Sequence, residues 1–258
     1  MVSTGLAAVQ FEPAVGDPET NLETIDSLSD ALPSGVELAV FPELCVTGYD
    51  LDEARALAEP VPGALTDRLV SIADRTAADL LVGLPERADG SVFNALAYVS
   101  PEGVRAVYRK QRLWGEEAEW LAAGTEPVVV DAPVGRVGML VCYDLNFREL
   151  ALTYARREVD VLAVSSAWRT SFRADWRLLT RARALDGYCY VVGANHLGDQ
   201  RGRDHAGHSL VVGPTGTVQD AVGEAPGPAV ATFSREALDR ARDRNPVHRQ
   251  RKGSEDRH

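Results

Sequence analysis

Three short segments, far apart in the chain, each present a reactive side chain where an apolar run gives out. They are Glu43 in LAVFPELCVTGYD, Lys110 in VRAVYRKQRLWGEE and Cys142 in GRVGMLVCYDLNFRE. A carboxylate, an ammonium and a thiol make a base, a cation and a nucleophile for attack on a carbonyl or nitrile carbon. The lysine stands out: of 27 basic residues 25 are arginine, and the only other lysine is Lys252. A compact ammonium with three rotatable donors fills a role that a planar guanidinium does not duplicate.

Each candidate has a bland alternative. A lone cysteine in an apolar strand is usually a small buried hydrophobe, and Cys45 and Cys189 keep that reading. Cys142 departs from it because it ends a strand in company with Lys and Glu in matching contexts. Glu43 has a rival in Glu86 of LPERADG, which composition alone does not eliminate and which reads as a polar turn with solvated charges. His196, His205 and His208 share one stretch, but a zinc site needs three or four ligands in defined geometry, and no Cys or capping Glu lies nearby. No Walker or Rossmann glycine loop appears. Neither a metal nor another cofactor is expected.

Alternating strand and helix patterns must position these groups. Val- and Leu-rich runs predict strands over 6–11, 36–41, 80–84, 93–99, 104–109, 128–130, 137–142, 159–165, 189–194, 209–212, 218–222 and 229–233. Several are continuously apolar, as strands covered on both faces are. Asp17-Pro18 opens a helix reaching about 32, Pro62-Gly63 opens a second, and Asn146 to Glu149 resembles a capping box for a third over 146–157. A fourth covers 174–186, with Trp176, Leu179 and Ala182 on one side. Turns at 100–103 and 213–216 join antiparallel strands, so the sheets are expected to be mixed.

With 45% hydrophobic and 25% charged residues over 258 positions, the composition is that of an ordinary globular protein. A net charge of −11 argues against nucleic-acid or anionic-membrane partners. Three irregularly spaced cysteines are no disulfide framework, and neither a signal peptide nor a membrane span is evident. The expectation is a reduced cytoplasmic protein with one α/β domain over 1–235 and a C-terminal arm, partly disordered, over 236–258.

In this order, PELCVTGY, YRKQRLW and VCYDLNFRE resemble the nitrilase superfamily of carbon–nitrogen hydrolases. VFNALAYVSPEGV, SSAWRTSF, RARALDGYCYVVGANHLG and GHSLVVGPTGTV extend the likeness over nearly the whole chain. The resemblance implies a four-layer αββα sandwich with two mixed sheets, assembled as a homodimer or higher homo-oligomer. It selects Glu43 over Glu86 as base, Cys142 as nucleophile and Lys110 as oxyanion donor, helped by the Tyr143 backbone N–H. Glu117, seven residues after the lysine, is the second glutamate, with Glu116 the off-by-one rival.

Amidase-like branches of that family tend to have Tyr-Asp after the nucleophile, so with Tyr143-Asp144 the resemblance implies a small-molecule amide as substrate. Nitrile hydrolysis, N-carbamoyl cleavage, acyl transfer and a silent binding protein are the alternatives. Tyr49, Trp114 and Trp168 are expected to form apolar walls. Arg148, Arg169 and Arg173 fall in segments that lie near the pocket mouth in that family, which suggests an amide that also bears a carboxylate. The chain departs from the family pattern at Arg112 (commonly His), at Arg148 within Phe147-Arg148-Glu149 (commonly Pro), at Asp175 before Trp176 (commonly His) and in the ending NPVHRQR. These differences concern the pocket rim and the subunit contact.

Overall fold

A computed structural model describes residues 4–245 and residue 247. Its strands are β1 (Gly5–Gln10), β2 (Val36–Val40), β3 (Asp79–Ala88), β4 (Ser91–Ser100), β5 (Gly103–Arg109), β6 (Val129–Ala132) and β7 (Gly135–Val141). They continue with β8 (Val161–Ser166), β9 (Tyr190–Asn195), β10 (Leu197–Gln200), β11 (Arg203–Ala206), β12 (Leu210–Val212), β13 (Val218–Ala221) and β14 (Gly227–Thr232). The helices are α1 (Pro18–Asp30), α2 (Leu51–Leu57), α3 (Ala64–Thr76), α4 (Glu117–Trp120), α5 (Arg148–Arg156), α6 (Arg173–Gly187) and α7 (Arg235–Arg244).

Two six-stranded sheets run β14-β1-β2-β3-β4-β5 and β13-β12-β9-β8-β7-β6. In each, three central strands are parallel (β1, β2, β3 and β7, β8, β9) and the flanking strands are antiparallel. The continuous apolar runs follow from burial on both faces. Leu6, Ala8, Leu38, Val40 and Leu81 point between the sheets, against Met139, Ala163 and Val192. Their neighbours Ala7, Val9, Ala39 and Leu80 point outward against Leu22 and Ile25 of α1 and Leu69 and Ile72 of α3. The period-two alternation of a strand thus feeds two apolar layers at once. Tyr154 of α5 and Trp176 of α6 cover the second sheet and complete the αββα order.

The helix over 146–157 begins later than the capping-box pattern implies. Asn146 belongs to a 3-10 turn, Cys142–Asn146, and its Nδ2 donates to Tyr143 O at 3.2 Å, so α5 starts at Arg148 without a side-chain cap. Two features escaped sequence reading. Asp50 Oδ1 caps α2 by accepting from Asp52 N and Glu53 N, both at 3.1 Å. The β10–β11 hairpin is built from GDQRGRD, which has no apolar alternation to reveal it.

The C-terminal arm expected from 236 instead begins as a packed helix. Ser234 Oγ caps α7 by accepting from Ala237 N at 3.2 Å, and Leu238 and Ala241 are buried. Arg235 grips Asp160 at 2.7 and 2.9 Å, and Arg242 adds a contact at 3.0 Å. Burial alone would raise the Asp160 carboxyl, but hydrogen bonds from Arg235 lead the interactions that hold it below the usual range. Two apolar residues three positions apart and an ion cluster are enough to dock a helix whose overall composition is polar. Residues 246 and 248–258 of the arm lie outside the described residues. Among the described residues no helix is long and apolar enough to cross a membrane.

Candidate active site

Glu43 lies in the turn that follows β2, and that turn rests on the backbone of β3. A Cβ on Gly83 would come within 2.3 Å of Pro42 O and 2.7 Å of Glu43 Cα, so only glycine permits the approach. Ser165 Oγ donates to Phe41 O at 2.8 Å, and His196 Nε2 donates to Glu43 O. Burial pushes the His196 ring far below the usual imidazole range, and neighbouring His205 adds to this, so the ring is neutral. The carbonyl acceptor therefore fixes its proton on Nε2.

The Glu43 carboxylate accepts three hydrogen bonds from its surroundings. Oε1 accepts from Lys110 Nζ at 2.7 Å and from Asn94 Nδ2 at 2.8 Å, while Oε2 accepts from Ala167 N at 2.9 Å. Lys110 follows β5 and is held through its backbone, N to Asn94 O and O to Gly124 N, both at 2.8 Å. Its ammonium also reaches Glu117, at 2.9 Å from Oε1 and 2.8 Å from Oε2. Glu117 Oε1 further accepts from Tyr49 OH and Asn94 Nδ2, each at 3.0 Å, and Oε2 from Trp114 N at 2.6 Å. Glu43 and Lys110 are 0% exposed and Glu117 1%. Glu116, the off-by-one rival, is exposed and points to Arg203.

Cys142 directly follows β7 with φ +45°, a left-handed conformation unusual for a residue with a side chain. The turn behind it is tied to the lysine strand by Asp144. Asp144 Oδ2 accepts from Tyr108 OH at 2.8 Å and Val141 N at 3.1 Å, and Oδ1 from Arg112 N at 2.8 Å. Burial raises Asp144 to about 6 against these bonds and the Lys110 charge.

The electrostatics are those of one shared site. Burial pushes Glu43 upward, Lys110 pulls it back, and the Glu117 charge pushes it up again. Burial would lower Lys110, but Glu117 and Glu43 more than offset it and raise the ammonium well above its ordinary value. Burial and the Glu43 charge drive the Cys142 thiol up, opposed by Lys110, the Ser166 hydroxyl and the Ala167 N–H. The thiol is consequently protonated at neutral pH, beside a carboxylate able to take its proton.

Cys142 opens into a cavity of about 250 Å³. Of the residues named from sequence, Tyr49, Trp114, Tyr143, Trp168 and Arg169 line it together with Asn146, Ala167, Phe172 and Asp175. Trp114 meets Tyr143 and Phe172 edge to face, with ring centroids 4.8 and 6.1 Å apart. Tyr49 is held from behind: its N donates to Gln200 Oε1 at 2.6 Å, a contact supplied by the hairpin that sequence reading missed. A larger depression of about 640 Å³ near Arg55, Arg87 and Trp120 is lined by none of Glu43, Lys110 and Cys142.

Three expectations are corrected. Arg173 does not line the cavity; its Nη1 lies 3.2 Å from both Glu224 Oε1 and His208 Nε2, because the first turn of α6 carries it toward the β13 side. Arg148 is likewise absent, turned away to Asp186 at 3.1 Å. Glu86 is buried rather than solvated, and Arg109 grips it at 2.6 and 2.8 Å. Asn94 is a site residue that the strand pattern over 93–99 does not single out, although an amide interrupting an apolar run signals a buried polar contact. Among the described residues no group of three or more His, Cys, Asp or Glu is arranged to hold a metal ion.

Known proteins resemble this chain in sequence and in fold. The profile of the family described as carbon-nitrogen hydrolase matches residues 5–243. The omega-amidase NIT2 of Xenopus tropicalis is 31% identical, over 98% of this chain and 96% of its own length. A CN-hydrolase superfamily protein from Xanthomonas campestris, solved with an arsenic adduct in its active site, superposes with a TM-score of 0.89 at 27% identity, covering 97% of both chains. An amidase from Nesterenkonia sp. AN1, solved after Michael addition of acrylamide at its active-site cysteine, gives 0.83 at 28% identity, over 96% of this chain and 99% of its own. The chain is a hydrolase of the carbon–nitrogen hydrolase family, within the nitrilase superfamily.

Proposed function

We propose that this protein hydrolyses a small amide through a thioester on Cys142, with Glu43 as the base, Lys110 as the oxyanion donor and Glu117 as the group that positions the lysine. The observation that carries this reading is Lys110 enclosed between Glu43 and Glu117 beside the Cys142 thiol. Glu43 and Glu117 engage two of the three ammonium N–H groups and leave one to point at a substrate oxygen. The thiol is protonated at rest, so it is activated only as it attacks. The S–C bond forms while the S–H proton passes to Glu43, and the carbonyl π pair moves onto oxygen. Lys110 and the Tyr143 N–H, in the first turn of the 3-10 segment, receive that charge.

Collapse of the intermediate breaks the C–N bond. Glu43 returns the proton to nitrogen and ammonia leaves. Water then attacks the thioester, gives a proton to Glu43, and the sulfur departs and is reprotonated. The sum is amide plus water to carboxylic acid plus ammonia. The site holds one net negative charge throughout, which moves between Glu43, sulfur and the substrate oxygen without a new ion being buried.

The omega-amidase and amidase relatives support an amide over a nitrile. Arg169 on the cavity wall supports a substrate whose far end is a carboxylate. A paired assembly is part of the same proposal, since α6 leaves Leu178 and Leu185 65% and 46% exposed. A dimer mass in solution is the expected result. Cys142→Ala should abolish ammonia release while the protein stays folded, and acid-quenched wild type should carry the acyl group on the Cys142 peptide. Turnover that persists in the alanine variant would overturn the mechanism.

A further inference from the structure

Two opposite charges share the wall of the cavity that holds Cys142. Arg169 follows Trp168, and Asp175 stands in the first turn of α6. Other arginines around this end are already matched: Arg173 with Glu224, Arg148 with Asp186, Arg201 with Asp50. Among the described residues neither Arg169 nor Asp175 is in a salt bridge, with each other or with a third group. Arg169 belongs to the connection between β8 and α6, Asp175 to the helix turn that follows it, and that connection is fixed. Trp168 N donates to Asn195 Oδ1 at 2.6 Å, its Nε1 to Phe172 O at 2.9 Å, and Phe172 N to Arg169 O at 3.0 Å.

We propose that Asp175 is a specificity-determining residue, which with Arg169 selects amides whose far end carries an ammonium beside a carboxylate, that is, side-chain amides of α-amino acids. This rests on the amide-hydrolase reading above and narrows its substrate. A ligand that is only anionic would satisfy Arg169 but face an uncompensated Asp175, and a purely cationic ligand would meet the reverse. A zwitterionic head satisfies both, so each charge also works against the wrong ligand. The same cavity also presents the apolar side chains of Trp114, Phe172 and Ala167, beside Tyr49, Tyr143 and Asn146, which suit a short methylene spacer. A cavity of 250 Å³ has room for on the order of ten bonded heavy atoms, the size of such an amide. An acidic residue in a first helical turn also favours the helix dipole. That role asks only for the position on α6 and is indifferent to what the cavity holds, which makes the two roles separable.

The test uses two readouts on the full chain. Binding is measured calorimetrically with the Cys142→Ala protein, and turnover by ammonia release from the wild type. The probes are L-asparagine and L-glutamine, the same chains without the amine (succinamate and glutaramate), and butanamide with neither charge. For whichever chain length binds better, the amino acid should bind about fivefold more tightly than its amine-free counterpart, as one partly exposed ion pair supplies. Adding Asp175→Asn should erase that ratio while leaving the affinity for the amine-free acid unchanged or higher. Equal or weaker binding of the amino acid overturns the proposal, and so does a ratio unaffected by Asp175→Asn. Selective binding without ammonia release from any probe would leave the selection intact and sink the amide-hydrolase reading instead.

Discussion

Gly83 and Glu43 are in backbone contact across two elements: a Cβ added to the glycine would lie 2.7 Å from Glu43 Cα and 2.3 Å from Pro42 O. The turn is bound to the same residue, since Val46 N donates to Gly83 O at 3.3 Å. Gly83→Ala must therefore push the Glu43 turn off β3. Overpacking of a buried site costs about 1–3 kcal/mol, and a misplacement of about 1 Å in a reacting group costs about 100-fold in rate. The expected result is a folded protein of lower melting temperature with ammonia release down by at least that factor. Wild-type activity in a stable Gly83→Ala protein would show that the Glu43 position is not critical.

Lys110 is the only cation bonded to both Glu43 and Glu117 among the described residues, and it has no solvent exposure. Lys110→Arg keeps the charge but places a larger planar group in a closed space. Loss of one oxyanion donor costs about 10²–10³ in rate, and the displaced carboxylates add to it. We expect turnover to fall by about three orders of magnitude, read from ammonia release alongside a circular-dichroism melt. Near-normal rates would make Lys110 a structural counter-ion only.

Asp144 gives a pH dependence with opposite signs for activity and stability. Its folded-state value of about 6 lies above the ordinary 3.8, so the folded protein favours the protonated carboxyl. The stability this contributes is complete below about pH 3.8 and is lost as pH rises through about 6, a difference of about 3 kcal/mol. Activity should run the other way. Protonation turns one acceptor oxygen into a donor, and the bonds from Val141 N, Arg112 N and Tyr108 OH can no longer all be kept. The turnover profile should show an acid limb near pH 6, and Asp144→Asn should remove that limb while lowering the rate at every pH. An unchanged limb in the asparagine variant would assign it to another group.

How much of this could be read in the chain differs from residue to residue. Lys110 and Cys142 stand out because strand ends are local events: an apolar run stops, and the next side chain stands at the edge of a sheet, whereas Glu43 is set apart from Glu86 only by the family resemblance. The elements were legible for the same reason, since the spacing of apolar residues within a window decides between strand and helix. The β10–β11 hairpin and α7 were not, because their stability comes from partners remote in sequence, such as Asp160 for α7.

Charge pairing belongs wholly to the tertiary structure. Arg169 and Arg173 are the same residue type four positions apart, yet one lines the cavity and the other is taken by Glu224, 51 residues away. Glu86 read as solvated until Arg109, from a different strand, closed over it. Asn94 and Glu117 meet around Lys110 only because β4, β5 and the α4 turn converge there. Local pattern fixes which side chains leave a strand end, since that is set by backbone periodicity. Which partner neutralises each charge, and hence which charges remain for a substrate, is decided by packing between segments that spacing along the chain does not encode.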